Sequence, residues 1–162
     1  MQPRLNRRAL DIPAPSPRYS RPPVIDPTSA QAMYSKTTRG ITVTVVPHFL
    51  EDQSEPSRGR YVWAYQVRIA NDGAETVQLL TRHWRITDGN GRLHEVRGPG
   101  VVGEQPVLAP GQSFEYTSGT PLATPSGFMG GSYAMSSDKG ETFDVEIPTF
   151  SLDSPHHGRQ IN

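Results

Sequence analysis

Residues 98–106 read Gly98-Pro99-Gly100-Val101-Val102-Gly103-Glu104-Gln105-Pro106, with Arg97 directly ahead. Glycines in the spacing G-x-G-x-x-G can bring backbone N–H groups close to a phosphate. Gly98, Gly100 and Gly103, with Arg97 as countercharge, are therefore candidate anion-binding residues for a pyrophosphate-containing ligand or a metal–phosphate complex. A dinucleotide site also needs a helix whose N-terminus faces the phosphates. Pro106, Pro110 and Gly111 oppose such a helix, and Pro99 deletes one of the N–H groups. The same residues also describe a strand end bent by glycine and blocked by proline, which protects a sheet edge. That second reading is the preferred one.

Upstream stands Arg82-His83-Trp84-Arg85. Leu80, Trp84 and Ile86 share a parity, which directs Trp84 into a core and turns His83 and Arg85 to the opposite face. Arg82 has the parity of the core, which requires either a bulge or a side chain snorkelling out at the rim. Arg82, His83 and Arg85 are the candidate surface-binding residues. For metal binding the candidates are His48, His83 and His94 with Glu95, and no HxH, HxxxH or HExxH spacing joins them. No metal site is expected, a divalent cation being kept only as an alternative ligand. Nucleophilic chemistry lacks its residues: the chain has no Cys, no G-x-S-x-G and no P-loop. No catalytic residue and no cofactor are expected.

The elements that must position these residues alternate with period two. Tyr61, Trp63, Tyr65, Val67 and Ile69 share one parity, and Ile41-Val43-Val45, Phe114-Tyr116, Tyr133-Met135 and Phe143-Val145-Ile147 repeat the pattern. Asn71-Asp72-Gly73, Asp88-Gly89-Asn90-Gly91, Pro110-Gly111 and Asp138-Lys139-Gly140 supply turns between them. About seven strands result, near 41–50, 60–70, 77–87, 92–97, 113–119, 129–137 and 142–150, with a short one possible within 101–108. No helical stripe is present, and the Gly-rich stretch 118–131 reads as a loop. The fold class is all-β, a sandwich of the immunoglobulin-like or fibronectin type III-like kind.

Of 162 residues, 1–34 hold seven prolines and no hydrophobic period, so they are expected to form a disordered Pro/Arg-rich arm. The body then spans 35–153 and a flexible tail 154–162; Met33 is an alternative start to Met1. Net charge is zero, yet 1–40 carry seven basic against two acidic residues and the remainder nine against fourteen. A basic arm on a mildly acidic body is not a nucleic-acid footprint. No apolar run approaches the roughly 18 residues of a membrane span. Neither nucleic acid nor membrane is expected as a partner, and a cytoplasmic location is expected.

Six strings together resemble the ApaG (CorD) family: Tyr61-Val62-Trp63-Ala64-Tyr65, Leu79-Leu80-Thr81-Arg82-His83-Trp84, the 98–106 block, Phe114-Glu115-Tyr116-Thr117-Ser118-Gly119, Tyr133-Ala134-Met135 and Phe143-Asp144-Val145-Glu146-Ile147-Pro148. The resemblance covers about 35–152. It implies the same kind of sandwich, a genetic link to cobalt and magnesium tolerance, and a use as an interaction module, as in eukaryotic F-box proteins. It carries over no catalytic residue. The expected function is a non-enzymatic module that binds a protein partner through an edge strand or end loop. The alternative is a binder of a phosphorylated metabolite through 97–106.

Overall fold

The computed structural model describes residues 32–156. The expected disorder of the arm before residue 32, and flexibility of the tail after 156, concern residues outside this range. Nine strands form two antiparallel sheets: β1 (Tyr34–Thr38), β2 (Ile41–Phe49), β3 (Tyr61–Asn71), β4 (Val77–Asp88), β5 (Leu93–Pro99), β6 (Val107–Leu108), β7 (Ser113–Leu122), β8 (Ser126–Ser137) and β9 (Thr142–Asp153). One sheet runs β1-β2-β3-β7 and the other β5-β4-β8-β9, with β6 pairing on β4 beyond the end of β5. Among the described residues there is no α-helix, only 3-10 turns at Glu51–Gln53 and Pro56–Arg58, and no helix long and apolar enough to cross a membrane.

The period-two runs face each other as expected. Ile41, Val43 and Val45 of β2 and Tyr61, Trp63, Tyr65, Val67 and Ile69 of β3 meet Trp84, Ile86, Met129, Tyr133, Val145 and Phe150 from the second sheet. Trp63 and Trp84 are 1 % and 4 % exposed, so both are core residues. Trp84 stacks edge-on against Tyr65 and Phe150, and the Trp63 indole N–H donates to the Asp153 carbonyl at 2.9 Å. Inside the sandwich the Tyr116 and Tyr133 hydroxyls share a 2.6 Å hydrogen bond. Burial pushes both phenols well above their ordinary range, so the pair stays neutral.

Two expectations are corrected. A strand precedes the expected first one at 41–50: Tyr34–Thr38 is polar and shows no hydrophobic alternation. It pairs with β2 across Arg39-Gly40, both at positive φ (50° and 81°). Arg is an unusual residue there; it is held by a bidentate ion pair to Glu141 and lies over the Phe143 ring at 4.3 Å. The stretch 118–131 is not a loop: β7 continues to Leu122 and β8 begins at Ser126. Its glycines mark close approach of backbones, because a Cβ on Gly131 would overlap the His83 carbonyl and one on Gly127 the Thr87 carbonyl. Pro121 is tolerated because β7 is an edge strand. The short strand expected within 101–108 is present as Val107–Leu108. After β9 the described residues 154–156 contact the body. Ser154 donates to the Pro125 carbonyl at 2.7 Å, and the His156 ring packs on Phe49 and Tyr61.

Gly131 gives the sharpest stability test. Gly131→Ala should cost about 3 kcal/mol or more, since the obstructing atom is backbone and cannot swing away. Gly91→Ala, at φ 83° with open space around it, should cost only the left-handed penalty of about 1–2 kcal/mol. Urea unfolding of the two variants decides this; equal losses would contradict the packing described.

Candidate functional site

The 98–106 block is fastened to one residue of β4. Between Leu79 and Thr81 the β4–β8 register slips, so Leu80 is the extra residue of a bulge. Leu79, not Leu80, therefore fills the core, and the parity inferred from the sequence holds only from Thr81 onward. The Leu80 carbonyl accepts the Gly100 N–H at 2.8 Å and the Gln105 side-chain amide at 2.9 Å. Next to it, the Leu79 N–H donates to the Pro106 carbonyl at 3.0 Å. The chain thus leaves β4 at Pro99, circles the bulge, and returns to β4 as β6.

Within the circle, Val101 and Glu104 exchange two backbone hydrogen bonds of 2.8 Å across Val102-Gly103. Both turn residues have positive φ, 42° and 79°. A β-branched residue in that region costs about 1–3 kcal/mol and persists only where the surroundings impose it. Gly100, at φ 61°, has no room for a side chain, since a Cβ would overlap the Glu104 carbonyl. Arg82 takes the inward direction that its parity requires. Its Nη1 donates to the carbonyls of Pro99 and Gly100 at 3.0 Å each, and its guanidinium covers Gly98. The N–H groups of Gly100, Val101 and Glu104 are consumed by backbone carbonyls, and Gly98 pairs with Arg82 in the β4–β5 ladder. Arg97 points away, to the outer face of the sheet.

On that outer face His83, Arg85, Glu95 and Arg97 gather. Arg85 lies opposite Glu95 and His83 opposite Arg97. His83 Nε2–H donates to Glu95 Oε1 at 2.7 Å, and Arg97 reaches the same oxygen at 3.3 Å. The hydrogen bond from His83, helped by Arg97 and Arg85, holds the Glu95 carboxyl below its ordinary range. Of the three surface candidates, the structure brings His83 and Arg85 together and separates Arg82 from them. No group of three His, Asp or Glu residues able to hold a metal ion occurs among the described residues.

How β5 stands in the fold left little trace in the sequence. Leu93, His94, Glu95, Val96 and Arg97 are all exposed, on both faces of the strand. β5 pairs with β4 alone, so its outer edge is open among the described strands. It also carries Leu93 and Val96, two of the five large hydrophobics that are exposed among the described residues. The signal was the broken alternation of Leu93-His94-Glu95-Val96-Arg97, which suits neither a half-buried strand nor a polar one. The other edges are blunted. β1 and β9 are tied together by Lys36–Glu146, Arg39–Glu141 and the Glu146 N–H to Thr38 Oγ1, while β7 carries Pro121.

A two-sheet antiparallel sandwich with a glycine block anchored beside an open edge strand defines a class of domain, and the comparisons identify it. The ApaG domain model matches residues 51–137. Protein ApaG of Rhodospirillum centenum is 68 % identical over 124 residues, 76 % of this chain and 95 % of the relative. Protein ApaG of Paramagnetospirillum magneticum is 63 % identical over 130 residues, 80 % of this chain and the whole of the relative. The crystal structure of the ApaA protein from Bordetella pertussis superposes with a TM-score of 0.70 at 53 % identity, covering 71 % of this chain and 94 % of that one. The chain belongs to the ApaG family, as the resemblance of its sequence implied.

The His83–Glu95 contact predicts a titration. Glu95 should titrate below an ordinary glutamate, and His83→Ala should move its midpoint back up. A depressed carboxylate contributes stability above its unfolded-state value and loses it as pH falls through the folded-state value. At 41 % exposure of the Glu95 side chain the effect on global stability is small. Carboxyl-detected NMR titration measures the midpoint directly, and one unchanged by His83→Ala would contradict the assignment.

Proposed function

We propose that this ApaG domain is a non-enzymatic module that binds a protein partner by adding a partner strand to β5. The observation that carries the reading is that β5 is an edge strand exposed on both faces, with Leu93 and Val96 on opposite sides. Unpaired N–H and C=O groups along an edge give affinity to an incoming strand, and alternate side chains give it register and selectivity. Phe128 of β8, 49 % exposed, lies on the outer face two strands away in the row that begins at Leu93 and Thr87. Beside this apolar row the His83, Arg85, Glu95 and Arg97 cluster offers charges of both signs. The arrangement suits a partner strand with apolar residues flanked by polar ones.

This reading needs no cofactor, no nucleic acid and no membrane, and it suits a cytoplasmic protein. The link to cobalt and magnesium tolerance then belongs to the assembly that the module joins. The alternative, a phosphorylated ligand on Arg97, Gly98, Gly100 and Gly103, has less support. Three N–H groups of the block are already bonded, and Arg97 is engaged with Glu95 on the outer face.

Immobilised full-length chain tests the proposal against an extract of its own cells. A partner retained by the wild type should be lost with the double variant Leu93→Glu/Val96→Glu. It should be kept with Glu115→Lys, a charge change on the edge strand of the other sheet. Retention by the β5 variant, or loss with Glu115→Lys instead, would overturn the assignment of the edge.

A further inference from the structure

At one end of the sandwich a cleft of about 560 Å³ opens between two loops, and Arg58, Arg60, Arg92 and His94 line it. We propose that this cleft binds a small molecule carrying two linked phosphates, through Arg58 and Arg60 on one wall and Arg92 with His94 on the other. The site touches β5 only through His94, at the start of that strand, and is separate from the 98–106 block. Its volume lies within the range of about 300–1,000 Å³ typical of small-molecule sites.

Both walls are fixed before any ligand arrives. On the first, Glu55 and Arg60 exchange backbone hydrogen bonds of 2.7 and 3.1 Å, and Gly59 closes the loop at φ 66°. This pins the backbone on which Arg58 and Arg60 stand. On the second, Asp88 Oδ1 accepts the N–H groups of Asn90 and Arg92 at 2.9 Å each, and the Asp88 N–H donates to the Arg92 carbonyl at 3.0 Å. Thr124 Oγ1 ties this hairpin to the floor, accepting the Gly89 N–H at 2.8 Å and donating to the Ser126 carbonyl. A loop fixed in this way has less ordering entropy left to lose on binding.

The charges are available. None of the three guanidiniums has an ion-pair partner among the described residues. Two carboxylates line the same cleft, Glu55 at the rim and Asp88 beneath. Asp88 is buried and bound to backbone N–H groups, with Arg92 and His94 close enough to act on it. Three arginines against two carboxylates leave one net positive charge. Guanidinium forks match phosphate oxygens in bidentate fashion. Because the cations stand on two walls, a ligand with two linked anionic groups engages both, whereas a single phosphate engages one.

Inorganic pyrophosphate is the first probe and a nucleoside diphosphate the second, titrated into the full-length chain by calorimetry and by amide chemical shifts. Expected are saturable shifts at residues 55–60, 88–94 and 121–124, and binding at least tenfold weaker in Arg60→Ala and in Arg92→Ala. Orthophosphate should bind at least tenfold more weakly than pyrophosphate. All three arginines are exposed, so these variants should keep the wild-type melting temperature, which is measured alongside. Arg97→Ala should leave the affinity unchanged. The inference is overturned if no saturable binding occurs, if orthophosphate binds as well as pyrophosphate, or if Arg97→Ala abolishes binding while Arg60→Ala and Arg92→Ala do not.

Discussion

The bulge at Leu80 is the constraint on which the rest of this domain depends. A strand alternates its side chains strictly, so one extra residue reverses the facing of everything that follows. With the slip between Leu79 and Thr81, Leu79 and Trp84 can both enter the core although their numbers differ in parity. The reversal sends Arg82 inward and places His83 and Arg85 on the outer face. It also leaves the Leu80 carbonyl off the β8 ladder, and that acceptor takes up Gly100 and Gln105. The bulge and the glycine block are therefore one device, with Arg82 closing it from the core side.

This device determines where β5 ends. Gly98 must be bare because the Arg82 guanidinium lies over it, and Gly100 because the Glu104 carbonyl occupies the space of a side chain. Val102 sits at positive φ because the two-residue turn to Glu104 imposes it. In the glycine spacing that suggests a phosphate cradle, Gly98 and Gly100 answer to packing and Gly103 to its φ of 79°. Its consequence is mechanical: the chain is lifted off β4 after Pro99, and β5 is left as a short strand, fixed at both ends and open along one side. The other fixed end is the Asp88 hairpin, whose turn also forms a wall of the arginine-lined cleft. One strand thus lies between two positions of high local order.

Most of the fold was legible in the sequence. Strict alternation in Tyr61 to Ile69 and in Tyr133 to Ile147 gave the strands, and the turn residues gave their ends. Three elements escaped for physical reasons. β1 is polar and turns on Arg39-Gly40, so neither its pattern nor its turn chemistry stands out; its place is set by the distant Glu141, Phe143 and Glu146. The ends of β7 and β8 are rich in glycine and proline, which normally interrupt ladders; here Gly127, Gly130 and Gly131 of β8 make room for Thr87, Thr149 and His83 on the neighbouring strands. Arg82 posed a conflict that the sequence could state but not resolve, because a bulge is a property of the pairing. The site was less legible than the fold. Arg58 and Arg60 stand on one loop and Arg92 on another, and the two loops meet only in three dimensions, while the exposure of β5 depends on how far the opposite sheet extends beneath it.

The central claim is that β5 is the edge at which a partner strand joins. Amide hydrogen exchange by mass spectrometry, on the free chain and on the chain saturated with its retained partner, tests this most directly. Strand addition predicts strong slowing confined to peptides covering residues 93–99, with the core strands β3 and β8 unchanged. Slowing at 113–122 or 101–104, with 93–99 exchanging as in the free chain, would contradict the account.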